Sequence, residues 1–373
     1  MRPTIADVAR EAGVSITTVS HALNGTRFVA EPTKQRVLAA IERLRYEPSS
    51  VAQSLKRDKS HAIGLLITDI SNPFFTSLVR GVEDVASRAG YSVILCNTDE
   101  DPAKELSYLH VLRRKRVDGI LLAPTGTRQP YMDALVEAAF PIVCIDRPSP
   151  GLPGDAVLVE NVAGARAAVE HLIGLGHRRV GVISGLAPVG TSSERLEGYR
   201  QALRAHGLPE EPALVREGNS RLDGGYRRMN ELLDLPTPPT AVFTTNNLMT
   251  LGALGALQAR GVRVPDDMAV VGFDDFEWAI VLRPRLTTVA QPTYEIGETA
   301  ARLLLERIEK KVDGAPRRVV LPTQLLVRES CGAGGQPDQR ELEDVFGRSP
   351  PRAAGVELAT PLPGSSSGVR RDT

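Results

Sequence analysis

The chain has 373 residues, with 45 Lys and Arg against 45 Asp and Glu, and 42% hydrophobic but only 4% aromatic residues. That length carries two or three domains and a sizeable core. Three widely spaced cysteines, Cys96, Cys144 and Cys331, form neither a zinc-type pair nor a disulfide framework. No run of about 18 apolar residues offers a membrane span, and no apolar secretory segment opens the chain. A soluble cytoplasmic protein with no membrane partner is therefore expected.

Two short helices come first. Thr4 caps one, Asp7 completes its capping box, and Ile5, Val8, Ala9 and Ala12 form an apolar stripe. Gly13 allows the left-handed turn that ends it. Ser15 caps the second helix, in which Val19 and Leu23 face inward, Val14 fills the corner and Asn24-Gly25 ends the run. This is the pattern of a helix-turn-helix, whose second helix presents Ile16, Thr17, Ser20 and His21 outward. Thr17 and His21 suit base edges, and Ile16 suits a thymine methyl. Thr4, Ser15, Thr18 and Asn24 suit phosphates. A third helix, with Pro32 near its start and Val37, Ile41 and Leu44 on one face, completes a DNA-binding head over residues 1–47. Residues 1–60 carry ten Lys/Arg against six Asp/Glu, leaving 35 against 39 elsewhere, so the positive excess lies on the head.

Residues 48–60 join the head to the rest. Pro48 can start a helix there, and Val51, Ala52, Ser54, Leu55 and Lys56 suit one. So short a helix is unstable alone in water, so it is expected to form only when braced by a partner copy and by DNA.

From residue 61 the pattern changes. Strands at 63–67, 91–95, 119–122, 142–145, 179–183, 241–243, 269–272, 287–289, 317–321 and 325–328 alternate with helices at 74–89, 104–113, 132–138, 161–175, 194–205, 225–233, 248–259 and 294–311. Such alternation means parallel α/β sheets, and roughly a dozen strands suit two of them. The expected fold is an all-α helix-turn-helix head followed by an α/β core, residues 61–330, of two doubly wound parallel-sheet lobes. Residues 331–373 are expected to be a disordered tail: Pro, Gly and Ser fill 16 of the 42 positions from 332 onward.

Ligands of doubly wound sheets sit beyond the carboxyl ends of strands. There the sequence places Thr68, Asp69, Asn72, Phe74 and Phe75, then Asp146-Arg147, then Ser192, Ser193 and Arg195, then Thr245-Asn246-Asn247, then Asp274-Asp275, and Gln291. Planar polar groups with aromatic faces suit a polyhydroxylated ring such as a sugar. An enzyme is not expected. Gly174-x-Gly176 lies at a helix end rather than in a phosphate loop, and the six histidines have no metal spacing. Asp274 and Asp275, adjacent at a strand end, point apart. No metal and no cofactor are therefore expected.

The segments TIADVAREAGVSITTVSHALNG, SVAQSLKRDKSHAIGLLI, SNPFF, HLIGLGHRRVGVISG, SSERLEGYRQAL, TTNNLMTLGAL, VVGFDD, LTTVAQP and LVRES resemble the lactose-repressor (LacI/GalR) type of bacterial transcription regulators, over residues 3 to about 330. The resemblance implies a periplasmic-binding-protein-like core with three crossings between its lobes: lobe one about 61–159 plus 292–320, and lobe two about 160–290 plus 321–330. It implies base reading by Ile16, Thr17 and His21, with His21 where many members carry Arg. It makes Leu55 the hinge leucine that wedges into the minor groove, beside DNA contacts at Val51 and Ala52. It assigns the effector to Asn72, Phe74, Phe75, Asp146, Arg147, Arg195, Asn246, Asp274 and Gln291, most like a ribose-binding cleft. Asn219 departs from that pattern, standing where ribose- and purine-type pockets place an aromatic, near Gly218. The implied protein is a homodimeric repressor of carbohydrate-utilisation genes on a near-palindromic operator, controlled by a small sugar, with a ribose-like pentose favoured. A purine-type corepressor is the alternative, and a sugar-binding transport receptor a further one. The C-terminal segment has no leucine heptad, which favours a dimer over a tetramer.

Overall fold

The computed structural model describes residues 3–334 except 26, 47–58, 127–130, 132–133, 136–138, 150, 153, 187–188 and 312–313. The hinge residues Val51, Ala52 and Leu55 and the segment 335–373 lie outside the described residues. The head is three helices, α1 (Ile5–Ala12), α2 (Ile16–Asn24) and α3 (Glu31–Leu44). Val8, Val19 and Val37, one from each helix, are fully buried at their junction. The capping box forms: Asp7 N–H donates to Thr4 Oγ1, and Thr4 N–H donates to Asp7 Oδ2 at 2.9 Å. Gly13 takes φ 65°, which lets the chain double back within two residues.

Beyond the head stand two six-stranded sheets. The first contains β1 (Ala62–Ile67), β2 (Ser92–Asn97), β3 (Gly119–Leu122), β4 (Ile142–Ile145), β5 (Asp155–Val159) and β11 (Arg318–Leu321), in the order β11-β5-β4-β3-β1-β2, all parallel. The second contains β6 (Val180–Ser184), β7 (Val215–Glu217), β8 (Ala241–Thr244), β9 (Ala269–Phe273), β10 (Thr287–Ala290) and β12 (Gln324–Leu326), in the order β12-β10-β9-β8-β6-β7, with β12 antiparallel to β10. Helices cover both. They are α4 (Pro73–Arg88), α5 (Pro102–Arg114), α6 (Asn161–Gly174), α7 (Gly190–Ala205), α8 (Leu222–Leu233), α9 (Asn247–Ala259) and α10 (Thr293–Ile308).

The chain passes from the first sheet to the second between β5 and α6, returns between β10 and α10, and leaves again between β11 and β12. α10 therefore follows the second lobe in sequence but buries Ile296, Ala300 and Leu304 in the first. It packs against α4 at backbone contact distance: a Cβ on Gly81 would meet the Tyr294 carbonyl, and one on Gly297 would meet that of Leu78.

Two strands stand where none was expected. The sequence DAVLV forms β5, every residue of it buried, and VRE forms β7. β7 is too short to show a period, β5 runs into α6 with one residue between them, and neighbouring strands hold both in place. Cys331, expected to open the disordered tail, is instead 1% exposed in the core of the second lobe. Its Sγ accepts from Thr287 Oγ1 at 3.1 Å and lies 3.3 Å from His171 Nε2. Burial is the largest influence and would raise this thiol's pKa, but those two hydrogen bonds, a backbone bond at Ala333 and the charge of His171 together lower it. Among the described residues, no helix is long and apolar enough to cross a membrane, and no group of three or more His, Cys, Asp or Glu could hold a metal ion.

Candidate functional site

The exposed face of α2 is the first candidate surface. Ile16 is 51% exposed and Thr17 is also exposed, while Ser20 and His21 are partly buried one turn on. Asn24 is the last residue of the helix. The three other polar positions are occupied with capping. Thr4 donates its hydroxyl hydrogen to Asp7 Oδ2 at 2.7 Å. Ser15 Oγ accepts from Thr18 N–H at 3.1 Å and shares a hydrogen with Thr18 Oγ1 at 2.8 Å. These bonds fix the start of α2 and so fix how Ile16 and Thr17 are presented.

The second candidate is a cleft of about 640 Å³, its open mouth included, between the carboxyl ends of the two sheets. All nine residues expected to hold an effector line it, and they come from both lobes: Asn72, Phe74, Phe75, Asp146 and Arg147 from the first, and Arg195, Asn246, Asp274 and Gln291 from the second. The two lobes repeat one device. Asp146 ends β4 at φ 67° and donates its N–H to Val157 O; Asp274 ends β9 at φ 72° and donates to Val289 O. A left-handed aspartate is uncommon and marks a position set by its surroundings.

Arg195 organises the second lobe's wall. Its Nε donates to Asn161 Oδ1 at 2.8 Å and its Nη1 to Thr245 O at 2.7 Å, with Asp274 Oδ2 3.4 Å away. The guanidinium lies 3.8 Å from the centre of the Phe273 ring, which it covers. Gln291 Nε2 donates to Asp274 Oδ1, while Gln291 Oε1 is buried with no partner among the described residues. Asn246 spends its amide locally: Oδ1 caps α9 through Met249 N–H, and Nδ2 donates to Ser220 O. Asn72 caps α4 through Phe74 N–H and also accepts from Asn247 Nδ2 at 2.9 Å, a buried bond between the lobes.

The first lobe's wall is rich in carboxylates. Burial raises the pKa of Asp146, against the pull of Arg147 and Arg195, and burial raises that of Glu105 behind it despite a 2.7 Å bond from Thr125 N–H. Arg147 Nη2 donates to Glu100 Oε1 at 2.7 Å.

The cleft also contains residues outside the expected set: Glu100, Thr191, Asn219, Ser220 and Arg221. Arg221 reaches across to Asp99 O at 3.4 Å. Glu100 stands three residues past β2, so the rule of inspecting polar residues after each strand reaches it once the strand's end is placed at Asn97 rather than 95. Asn219 bonds to Asp223 and Arg221 N–H within its own turn, so the position shows no aromatic face to the cleft.

Comparison with known proteins fits this geometry. Residues 4–49 match the model for bacterial regulatory proteins of the lacI family, and residues 169–331 match that for a periplasmic binding protein-like domain. The chain is 40% identical over 330 residues to the HTH-type transcriptional repressor PurR of Haemophilus influenzae (strain PittEE), covering 88% of this chain and 98% of that one. The chain belongs to the lacI family. As a member it is a DNA-binding transcriptional repressor and not an enzyme. The lac repressor dimer bound to operator and the anti-inducer ONPF superposes with a TM-score of 0.77 at 29% identity, over 89% of this chain and 99% of that one. A lacI family regulator from Enterococcus faecium, solved with bound ribose, matches at a TM-score of 0.66 and 32% identity, over 72% of this chain and 98% of that one.

Proposed function

We propose that this lacI family repressor is a cytoplasmic homodimer that binds a near-palindromic operator and is controlled by a small sugar in the cleft, a ribose-like pentose being favoured. The observation that carries the effector class is the make-up of the two walls. Among the described residues, aromatic faces come from one lobe alone, as Phe74 and Phe75, while the facing wall offers Thr191, Ser192, Arg195, Asn219 and Asp274. A sugar stacks one C–H face and hydrogen-bonds around its rim. A purine base, flat and apolar on both faces, gains most between two aromatic surfaces. The ribose-bound relative supports the pentose, and the 40% identity to PurR supports a purine corepressor as the second reading.

Ile16, Thr17 and His21 read bases, Thr4, Ser15, Thr18, Ser20 and Asn24 support them at the DNA surface, and Val51, Ala52 and Leu55 contact the minor groove in the hinge, residues 48–60. Closure of residues 61–330 around the sugar changes the spacing of the two heads. The ligand shifts operator binding only by its differential affinity for the two lobe arrangements.

Thermal melts with D-ribose, D-xylose, D-glucose, D-galactose, adenine, guanine and hypoxanthine test the effector. A ligand at 100 times its Kd adds about 2.7 kcal/mol. Stabilisation by a sugar, with altered retention of a duplex selected by the protein itself, is expected. Stabilisation by a purine alone overturns the sugar reading.

A further inference from the structure

We infer that Glu100 determines effector specificity, and that with Arg147 it forms a subsite reading neighbouring hydroxyls of the sugar. This inference rests on the sugar reading above. Glu100 Oε1 accepts from Arg147 Nη2 at 2.7 Å, which leaves Glu100 Oε2 and Arg147 Nε, both buried, without a partner among the described residues. The Arg147 side chain is 4% exposed, and Asp146 Oδ2, with which it also pairs, stands 3.6 Å from Nε, beyond hydrogen-bond reach. One unmet acceptor and one unmet donor thus share the first lobe's side of the cleft, opposite the unmet Gln291 Oε1 of the second. A buried polar group is costly until something bonds to it. A ring hydroxyl gives a hydrogen and also takes one, so a vicinal diol satisfies both atoms, one hydroxyl donating to Glu100 and its neighbour accepting from Arg147.

The segment carrying Glu100 is built to hold position. Asp99 and Glu100 are consecutive left-handed residues, at φ 55° and 60°, which L side chains adopt only when held. The Asp99 carboxylate accepts from Asn97 Nδ2 at 2.8 Å and pairs with Lys104. Asn97 Oδ1 accepts from Ile70 N–H at 2.8 Å, tying the turn to the loop that carries Asp69 and Asn72. From the other lobe, Arg221 donates to Asp99 O. A ligand contact at Glu100 is therefore also a contact at the seam between lobes. Burial shifts both Asp146, beside the pair on the cleft wall, and Glu105 toward the neutral form.

The test uses the full-length protein, wild type and Glu100→Gln, in calorimetric titrations. The probe is whichever of D-ribose, D-xylose, D-glucose or D-galactose gives the largest thermal shift with wild type, together with each of its monodeoxy derivatives. Glu100→Gln is expected to weaken the parent sugar at least tenfold while the ligand-free melting midpoint stays within a few degrees. For one monodeoxy derivative, the one lacking the hydroxyl that Glu100 receives, the substitution should cost no further affinity, as a double-mutant cycle requires of a direct contact. An equal loss for every derivative assigns Glu100 to the support of Arg147 alone and overturns the inference. So does unchanged affinity for the parent sugar. If no sugar binds wild type, the sugar reading itself fails, and this inference with it.

Discussion

Replacing Arg195 with methionine removes every polar bond of the cleft's best-connected side chain while nearly keeping its volume. Three acceptors lose a donor: Asn161 Oδ1, Thr245 O and Asp274 Oδ2. An unsatisfied buried acceptor costs about 1–3 kcal/mol, and a desolvated cation over an aromatic ring contributes about 2 kcal/mol. The full sum overstates the loss, because Asp274 keeps its bond from Gln291 and water in the cleft reaches part of the wall. About 3 kcal/mol is the expected net loss. At about 2–4 °C per kcal/mol for a domain of roughly this size, the ligand-free core should melt about 6–12 °C lower. Effector binding should be lost as well. Scanning calorimetry of Arg195→Met and Arg195→Lys reads the first effect, and titration calorimetry the second. The lysine keeps the charge but not the fork, and should fall between methionine and wild type. A methionine variant melting within about 2 °C of wild type would refute the assignment of Arg195 as the organiser of this wall.

Three further outcomes follow from the geometry. The Asp155 side chain is fully buried between Arg307 and Arg317, whose hydrogen bonds outweigh the effect of burial and hold its pKa below the ordinary carboxylate value. Asp155→Asn should cost about 3 kcal/mol at neutral pH, the lower end of the range for breaking a buried pair because both arginines are partly exposed. A depressed pKa stabilises above the unfolded value of about 3.9 and loses that stabilisation as pH falls through the folded value. The gap between wild type and Asp155→Asn in urea melts should therefore narrow from about pH 4 downward, and a constant gap would contradict the pairing. Ser15→Ala should destabilise the head by about 1 kcal/mol through loss of the α2 cap, read as a lower denaturation midpoint of the head helices with an unchanged core transition. Gly81→Val should drive a side chain into the backbone of α10 and cost at least about 1–3 kcal/mol, whereas Gly174→Ala, which meets nothing within 4 Å, should leave the midpoint within about 1 °C in the same thermal scan.

The head was legible almost residue by residue, because capping and helical spacing are local signals. Thr4, Asp7, Gly13 and Ser15 act in the structure as their types predict. The order of elements was legible where an apolar run was set off from its neighbours. β7 has only three residues, and β5, though apolar from Ala156 to Val159, runs into α6 with one residue between them; the pairing of both is decided by distant partners such as Val143 and Val182. In the cleft, strand-end position pointed to a wider set of polar residues and two phenylalanines, from which the family resemblance picked the nine that line it. It could not separate those facing the cavity from those bonded into the frame. Asn246 shows the difference, with both ends of its amide engaged by Met249 and Ser220. Glu100 escaped because one carboxylate among Asp99, Glu100 and Asp101 looks like the next until Arg147 picks one out.

The triple crossing between lobes also orders events in time. The first lobe's interior joins Ile63 and Leu65 to Ile296, Leu304 and Leu321, so it cannot close until all of the second lobe but its edge strand β12 and the residues beyond has been synthesised. The head needs only residues up to Leu44. At roughly 5–20 residues per second, tens of seconds separate the two. A nascent chain thus carries a DNA-reading surface well before any sensor exists to govern it. By the same connectivity, no single cut in the core divides the chain into two complete lobes: any fragment ending between β5 and α10 holds the first sheet without the helix and edge strand that complete it.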